Sequence, residues 1–236
     1  MPHRRSARSQ VIARRGDLVV ESDPARPSGR RFYQAGMEAS YTDLADPRHL
    51  DFDYLRWIRV LLEVAGARRV LHVGGAGCAL ARALAAADPD SRQEVWEIDP
   101  DVVAFAREWL GLRRTPGLRV RVGDGARALA GAGDGSRDAV VIDAFLRGRV
   151  APGPTGPAAL AHAARVAPLT LVNVVGGGEV DRVAAGLAAV YPRVWSVAGR
   201  SANTVLGGDR DALDLVRVRS PLARDPSPAA LVVLQQ

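Results

Sequence analysis

Val70-Leu71-His72-Val73-Gly74-Gly75-Ala76-Gly77-Cys78 opens the stretch that decides the fold class. An alanine- and leucine-rich run, 79–87, follows, and then Glu94-Val95-Trp96-Glu97-Ile98-Asp99. The reading is a short apolar run, a glycine turn, a helical run, and a second apolar run that ends in carboxylates. A strand, glycine loop, helix and acid-tipped strand in that order mark a nucleotide-type site on an open α/β sheet.

Working outward, the same alternation continues. Downstream, the pattern predicts strands over 118–122, 138–142 and 169–175, and helices over 101–110, 126–131, 158–166 and 179–190. Residues 194–197 and 204–206 are the last strand candidates, read as antiparallel. The segment 147–157, with three glycines and three prolines, reads as a flexible loop. Near-continuous apolar strands separated by helices imply a parallel sheet covered on both faces. Upstream, Leu50, Tyr54, Trp57, Ile58, Leu61 and Leu62 recur at helical spacing, predicting an amphipathic helix over 49–65 that stops at Gly66. Before it, 11–13, 17–22, 30–34 and 38–41 read as short strands, with a turn over 24–29. The expected organisation is a disordered basic tail (1–10), a β-hairpin subdomain (11–45), a Rossmann-like nucleoside-binding domain (46–220) and a C-terminal tail (221–236).

Open parallel sheets bind ligands at the carboxyl ends of their strands. Those ends read Gly74, Gly75 and Gly77, then Glu97 and Asp99, then Asp124, then Asp143. The glycines let backbone approach a ligand, or simply make a tight turn. Glu97 suits a ribose diol, which a carboxylate accepts from twice; the plainer role, a charge at a helix start, fits Asp99 better because Pro100 follows it. Asp124 either accepts from an adenine amino group or caps the 126–131 helix. Asp143 ends the most apolar strand, where an acid is costly unless paired or functional. The four histidines and Cys78 show no metal-ligand spacing, and no metal is expected. Cys78 opens a helix whose dipole would lower its pKa, or packs as a small side chain.

The 236 residues carry 47% hydrophobic and 25% charged side chains, with a net charge of +6. That is a globular composition with room for a good core. All 32 basic residues are arginine, which excludes Schiff-base and P-loop lysine chemistry. Residues 1–31 hold eight arginines against three acids, so the rest of the chain is nearly neutral. An arginine-rich tail is a solvated segment or touches nucleic acid or phospholipid, and the near-neutral body gives no expectation of a nucleic-acid partner. No apolar run approaches membrane-spanning length, no secretory h-region follows the first arginines, and one cysteine makes no internal disulfide. A cytoplasmic location is the default expectation. The oligomeric state stays open, with a homodimer as the commonest case.

Val70–Gly75, Glu97-Ile98-Asp99-Pro100, Gly123-Asp124-Gly125 and Asp143-Ala144-Phe145, in this order and spacing, resemble the spermidine synthase family. These are polyamine aminopropyltransferases on a class I methyltransferase-like fold. Ser40–Leu44 and His49–Tyr54 resemble the family's lead-in after a small N-terminal β-domain. The resemblance spans roughly residues 11–210. It implies a Rossmann-like sheet with an N-terminal β-hairpin extension, and S-adenosylmethionine, its decarboxylated form or methylthioadenosine as the ligand. It implies that Gly74, Gly75 and Gly77 lie along the sulfonium side chain, that Glu97 holds the ribose and Asp124 the adenine, and that Asp143 is the base for an attacking amine such as a polyamine. The chain departs from the family at the acceptor half. Its glycine loop has no acid, Leu146 stands for the second aspartate of the catalytic loop, and Arg56 follows Tyr54-Leu55. Two readings follow: a transferase of aminopropyl or methyl groups, or a non-catalytic homologue that works by binding a partner.

Overall fold

The computed structural model describes residues 9–75, 77–112, 115–146, 148–210 and 213–235. Residues 1–8 of the expected tail, Ala76 of the glycine loop and Arg147 of the expected flexible loop lie outside them. Ser9 and Gln10 do not belong to a free tail. The Ser9 hydroxyl donates to Glu21 at 2.5 Å; the Gln10 N–H donates to the Ser22 hydroxyl, and the Gln10 carbonyl accepts from the Ser22 N–H.

Four antiparallel strands come first: β1 (Val11–Arg15), β2 (Leu18–Asp23), β3 (Arg26–Gln34) and β4 (Met37–Asp43), in that spatial order. Ala35 and Gly36, both at positive φ, make the two-residue turn between β3 and β4. β3 begins at Arg26, so the 24–29 turn expected from its prolines and glycine shrinks to Pro24-Ala25. Pro27 and Gly29 sit within the strand, where Arg30 and Gly29 still pair with β4. The sheet lies against α3 (Pro100–Trp109), with Leu18, Val20 and Phe32 packed on Phe105, Val102 and Leu110.

Helix α1 (Asp53–Val64) buries Tyr54, Leu55, Trp57, Ile58, Leu61 and Leu62, the stripe that its spacing predicts. Gly66 stops it at φ +64. Then come β5 (Arg69–Gly74), α2 (Ala79–Ala87), β6 (Arg92–Glu97), α3, β7 (Leu118–Val122), α4 (Gly125–Gly131) and β8 (Ala139–Asp143). A two-stranded hairpin follows, β9 (Phe145–Leu146) with β10 (Arg149–Val150), its second strand inside the 147–157 segment expected to be loop. The chain continues through α5 (Pro157–Val166), β11 (Leu169–Val175), α6 (Gly177–Ala188), β12 (Arg193–Ala198), β13 (Asn203–Asp209), α7 (Leu215–Ala223) and β14 (Ala230–Gln235).

The eight-stranded sheet runs β14-β12-β13-β11-β8-β5-β6-β7. Strands β11, β8, β5, β6 and β7 are parallel; β13, β12 and β14 join antiparallel, the first two as read for 204–206 and 194–197. One apolar layer fills the space under α1, α2 and α7, around Trp57 and Trp195; another lies under α4, α5 and α6. The fold class is the expected one. The described residues 221–235 are not a loose tail, since β14 pairs with β12 and Leu231 packs against the α1 layer.

Candidate functional site

Parallel packing brings the ends of β8, β5, β6 and β7 side by side, and each contributes one of the expected residues to that rim. Gly74 pairs in register with Asp143. The contact is so close that a Cβ on Gly74, at φ +77, would lie 2.5 Å from the Asp143 carbonyl oxygen. Gly75, at φ +104, has nothing within 4 Å of its Cβ position, so its bare face is open. Gly77 is different. A Cβ there would lie 2.7 Å from the Ser40 hydroxyl and 2.8 Å from Leu110, so β4 and α3 leave no room for a side chain.

Asp143 is the most elaborately held acid on the rim. Its Oδ2 accepts from the Tyr54 hydroxyl at 3.0 Å and its Oδ1 from the Asn173 amide at 2.9 Å. The Asn173 carbonyl in turn accepts from Asn203 at 2.9 Å, so β8, β11, β13 and α1 converge on one carboxylate. Burial pushes the Asp143 carboxyl above its ordinary range, and the bonds from Asn173 and Tyr54 only partly offset that. Burial and the neighbouring Asp143 charge push the Tyr54 hydroxyl well above 10.

Glu97 is buried beside the glycine turn, and its Oε1 accepts the Asp99 N–H at 3.1 Å. Asp99 caps α3 through the Asp101 and Val102 amides and Pro100, the role expected of it. Asp124 is exposed and caps α4, accepting from Ala126 N–H at 2.8 Å. Cys78 sits at positive φ before α2. Burial, reinforced by the Glu97 charge, pushes its thiol up to about 12, the opposite of activation by a helix dipole. His72 is a buried core histidine bonded to Gln93 at 2.8 Å, with burial lowering its pKa to about 4. Arg56 does not face the acceptor side as a bare cation, because Asp225 holds its guanidinium at 2.9 Å. Among the described residues no three His, Cys, Asp or Glu side chains gather as metal ligands.

A small cavity of about 20 Å³ joins Ser40, Tyr54, Gly74, Gly75 and Asp143. That is room for about one water. Gly77, Glu97 and Asp124 do not line it; Asp124 faces a separate open groove beyond β6. Sequence reasoning overlooked Asn173, Asn203 and Ser40. Asn173 did leave a signal, since it is a lone amide inside the apolar run Leu169–Val175, where a buried polar group needs a partner.

No protein-family model matches the chain, and no curated protein matches it. Solved structures do. A probable spermidine synthase from Corynebacterium glutamicum ATCC 13032 superposes with a TM-score of 0.81 at 23% identity, over 99% of this chain and 91% of that one. The spermidine synthase from Thermotoga maritima gives 0.65 at 13% identity, over 89% and 74%. Human methyltransferase-like protein 13, solved with SAH, gives 0.56 at 25% identity, over 73% and 88%. The chain therefore has the fold shared by spermidine synthases and methyltransferases, and carries a four-stranded antiparallel sheet before it.

Proposed function

We propose that this protein is a spermidine synthase-like transferase that moves an aminopropyl or methyl group from an adenosyl sulfonium donor to an amine-type acceptor. The observation that carries the reading is the Asp143 carboxylate, held from two sides beside the glycine turn and raised in pKa by burial. The donor, S-adenosylmethionine or its decarboxylated form, supplies a carbon activated by positive sulfur. The acceptor's lone pair attacks that carbon, the carbon–sulfur bond breaks, and the sulfur leaves as a neutral thioether. Asp143 takes the acceptor's proton, and a raised pKa makes it a better base than an exposed carboxylate. Asn173 and Tyr54 fix its orientation, which is the larger part of what a protein adds to a displacement between two bound partners.

The rim residues fit an adenosyl ligand. Glu97 is anchored at one oxygen by the Asp99 amide and would hold the ribose hydroxyls; Asp124, already oriented by capping α4, would meet the adenine. Gly74 and Gly75 leave the sulfonium chain a bare backbone to lie against. The fold's occurrence with SAH in a human methyltransferase supports the same ligand class. A polyamine acceptor has weaker support, because Leu146 is exposed where the family places a second acid and Gly77 has no room for one. The water-sized cavity at Asp143 favours the second reading, a non-catalytic homologue that acts by binding a partner in the cytoplasm.

Calorimetric titration with S-adenosylmethionine, its decarboxylated form and methylthioadenosine separates these. Binding of one of them, with turnover of a diamine or another amine, supports the transferase. Failure of all three sinks it. Glu97→Ala is expected to weaken nucleoside binding by about 1–3 kcal/mol, the worth of hydrogen bonds to a charged group. Unchanged affinity would remove the ribose role.

A further inference from the structure

The open groove beyond β6 shares only Asp124 with that reading. Its floor is the exposed face of β6 and β7, which the seven-residue α4 is too short to cover. It measures about 710 Å³, the size of a site for one small ligand or a single extended strand. Four arginines line it: Arg119, Arg121, Arg127 and Arg137. Glu94 neutralises part of that charge, accepting from Arg121 at 2.8 Å and Arg137 at 2.7 Å. Arg121 is also stacked over Trp96, its guanidinium carbon 5.5 Å from the ring centroid. Arg119 and Arg127 are exposed and have no carboxylate partner among the described residues. The other acid, Asp124, is engaged with the α4 backbone.

The groove thus concentrates positive charge on a body whose total is almost neutral. Arg119 and Arg121 stand on the same face of one strand, about 7 Å apart at their stems. That step is comparable with the step between successive phosphates of an extended chain. Guanidinium forks grip phosphate oxygens two at a time, and an oligophosphate packs several charges into a space too small for a folded acidic segment. Arginines on an edge strand also deter strand-to-strand association. That role alone would not require Arg127 and Arg137, which come from outside β7, to face the same space.

We infer that this groove binds a ligand carrying two or more closely spaced phosphates, through Arg119 and Arg127 with Arg121 held ready by Trp96 and Glu94. Nucleic-acid strands and free oligophosphates share that chemistry. The test uses the full chain and four probes at about 50 mM salt, where phosphate contacts are strong: a single-stranded oligouridylate, ATP, inorganic tripolyphosphate and polyglutamate. The double variant R119E/R127E is compared with R217E/R219E, which makes the same charge change on the exposed face of α7. Binding of a phosphate probe that falls at least about tenfold in R119E/R127E but not in R217E/R219E supports the proposal. Oligouridylate alone then names a nucleic-acid strand as the source, and tripolyphosphate or ATP names a free oligophosphate. For the oligonucleotide, the salt slope should also fall by about 0.7 for each lost phosphate contact. The proposal is overturned by equal losses in both variants, by polyglutamate binding as tightly as the phosphates, or by no phosphate probe binding. None of these outcomes depends on whether Asp143 is a catalytic base.

Discussion

Asp143 is a destabilising residue held in place by its neighbours, and that can be measured without knowing any substrate. Its folded pKa lies above the ordinary 3.8, so the folded chain binds this proton more tightly than the unfolded chain. The carboxyl therefore costs nothing below 3.8, costs progressively more as pH rises to its folded value, and carries its full cost above that. Asp143→Asn keeps both contacts, with the new amide donating to the Tyr54 hydroxyl and the carbonyl accepting from Asn173. The variant should have a higher Tm than wild type at neutral pH, with the gain vanishing on acidification; a constant difference across pH would refute the assignment. Glycine 77 makes the opposite case. Restoring an acid there, Gly77→Asp, should cost about 1–3 kcal/mol in chemical denaturation through overpacking against Ser40 and Leu110. Much of this rim was legible in the sequence, because an acid at the end of an apolar strand is visible one residue at a time. The partners were not. Asn173 and Asn203 lie 30 residues apart and meet only through the antiparallel pairing of β11 with β13.

At the scale of elements, periodicity located the helices and the parallel strands because each buries one stripe or two faces, and those patterns are local. It lost the extent of β3, where Pro27 and Gly29 argue for a turn but Asp43 enforces a strand. The Asp43 carboxylate, buried at the end of β4, accepts from Ser28 at 2.6 Å, Arg26 at 3.0 Å and the Ala45 and Asp46 amides. Burial alone would raise its pKa, but those four donors bring it down to about 2. A depressed carboxyl contributes stability that is fully present above 3.8 and is lost as pH falls through about 2. Asp43→Asn should therefore cost about 2 kcal/mol at neutral pH, and the difference should shrink in acid. The first effect would appear where β3 meets the lead-in to α1, as faster amide exchange at Ala45 and Asp46. Protection equal to wild type at both amides would show that the turn holds without the charge.

For the whole molecule, the question is where the domain ends. The sequence pattern places the boundary near 220, since Pro221, Pro226 and Pro228 break any periodic signal and the last six residues are too few to read. The physical connections run further. Arg56 on α1 is clamped by Asp225, the Trp57 indole donates to the Ser227 carbonyl at 3.1 Å, and β14 closes the sheet beside β12. We therefore place residues 221–235 within the Rossmann-like unit. Deleting 228–236 leaves the Asp225 and Ser227 contacts intact and removes only β14 and its approach. It uncovers the outer edge of β12 and takes Leu231 and Ala229 off the α1 layer. Half-burial of those side chains and the lost ladder should together contribute about 2–4 kcal/mol, so the midpoint of urea unfolding should fall while the transition stays cooperative. A deletion variant that unfolds at the wild-type midpoint would return these residues to the status of a tail. It would also shift the boundary of the folded unit back to Ser227, with its carbonyl contact to the Trp57 indole as the outermost tie.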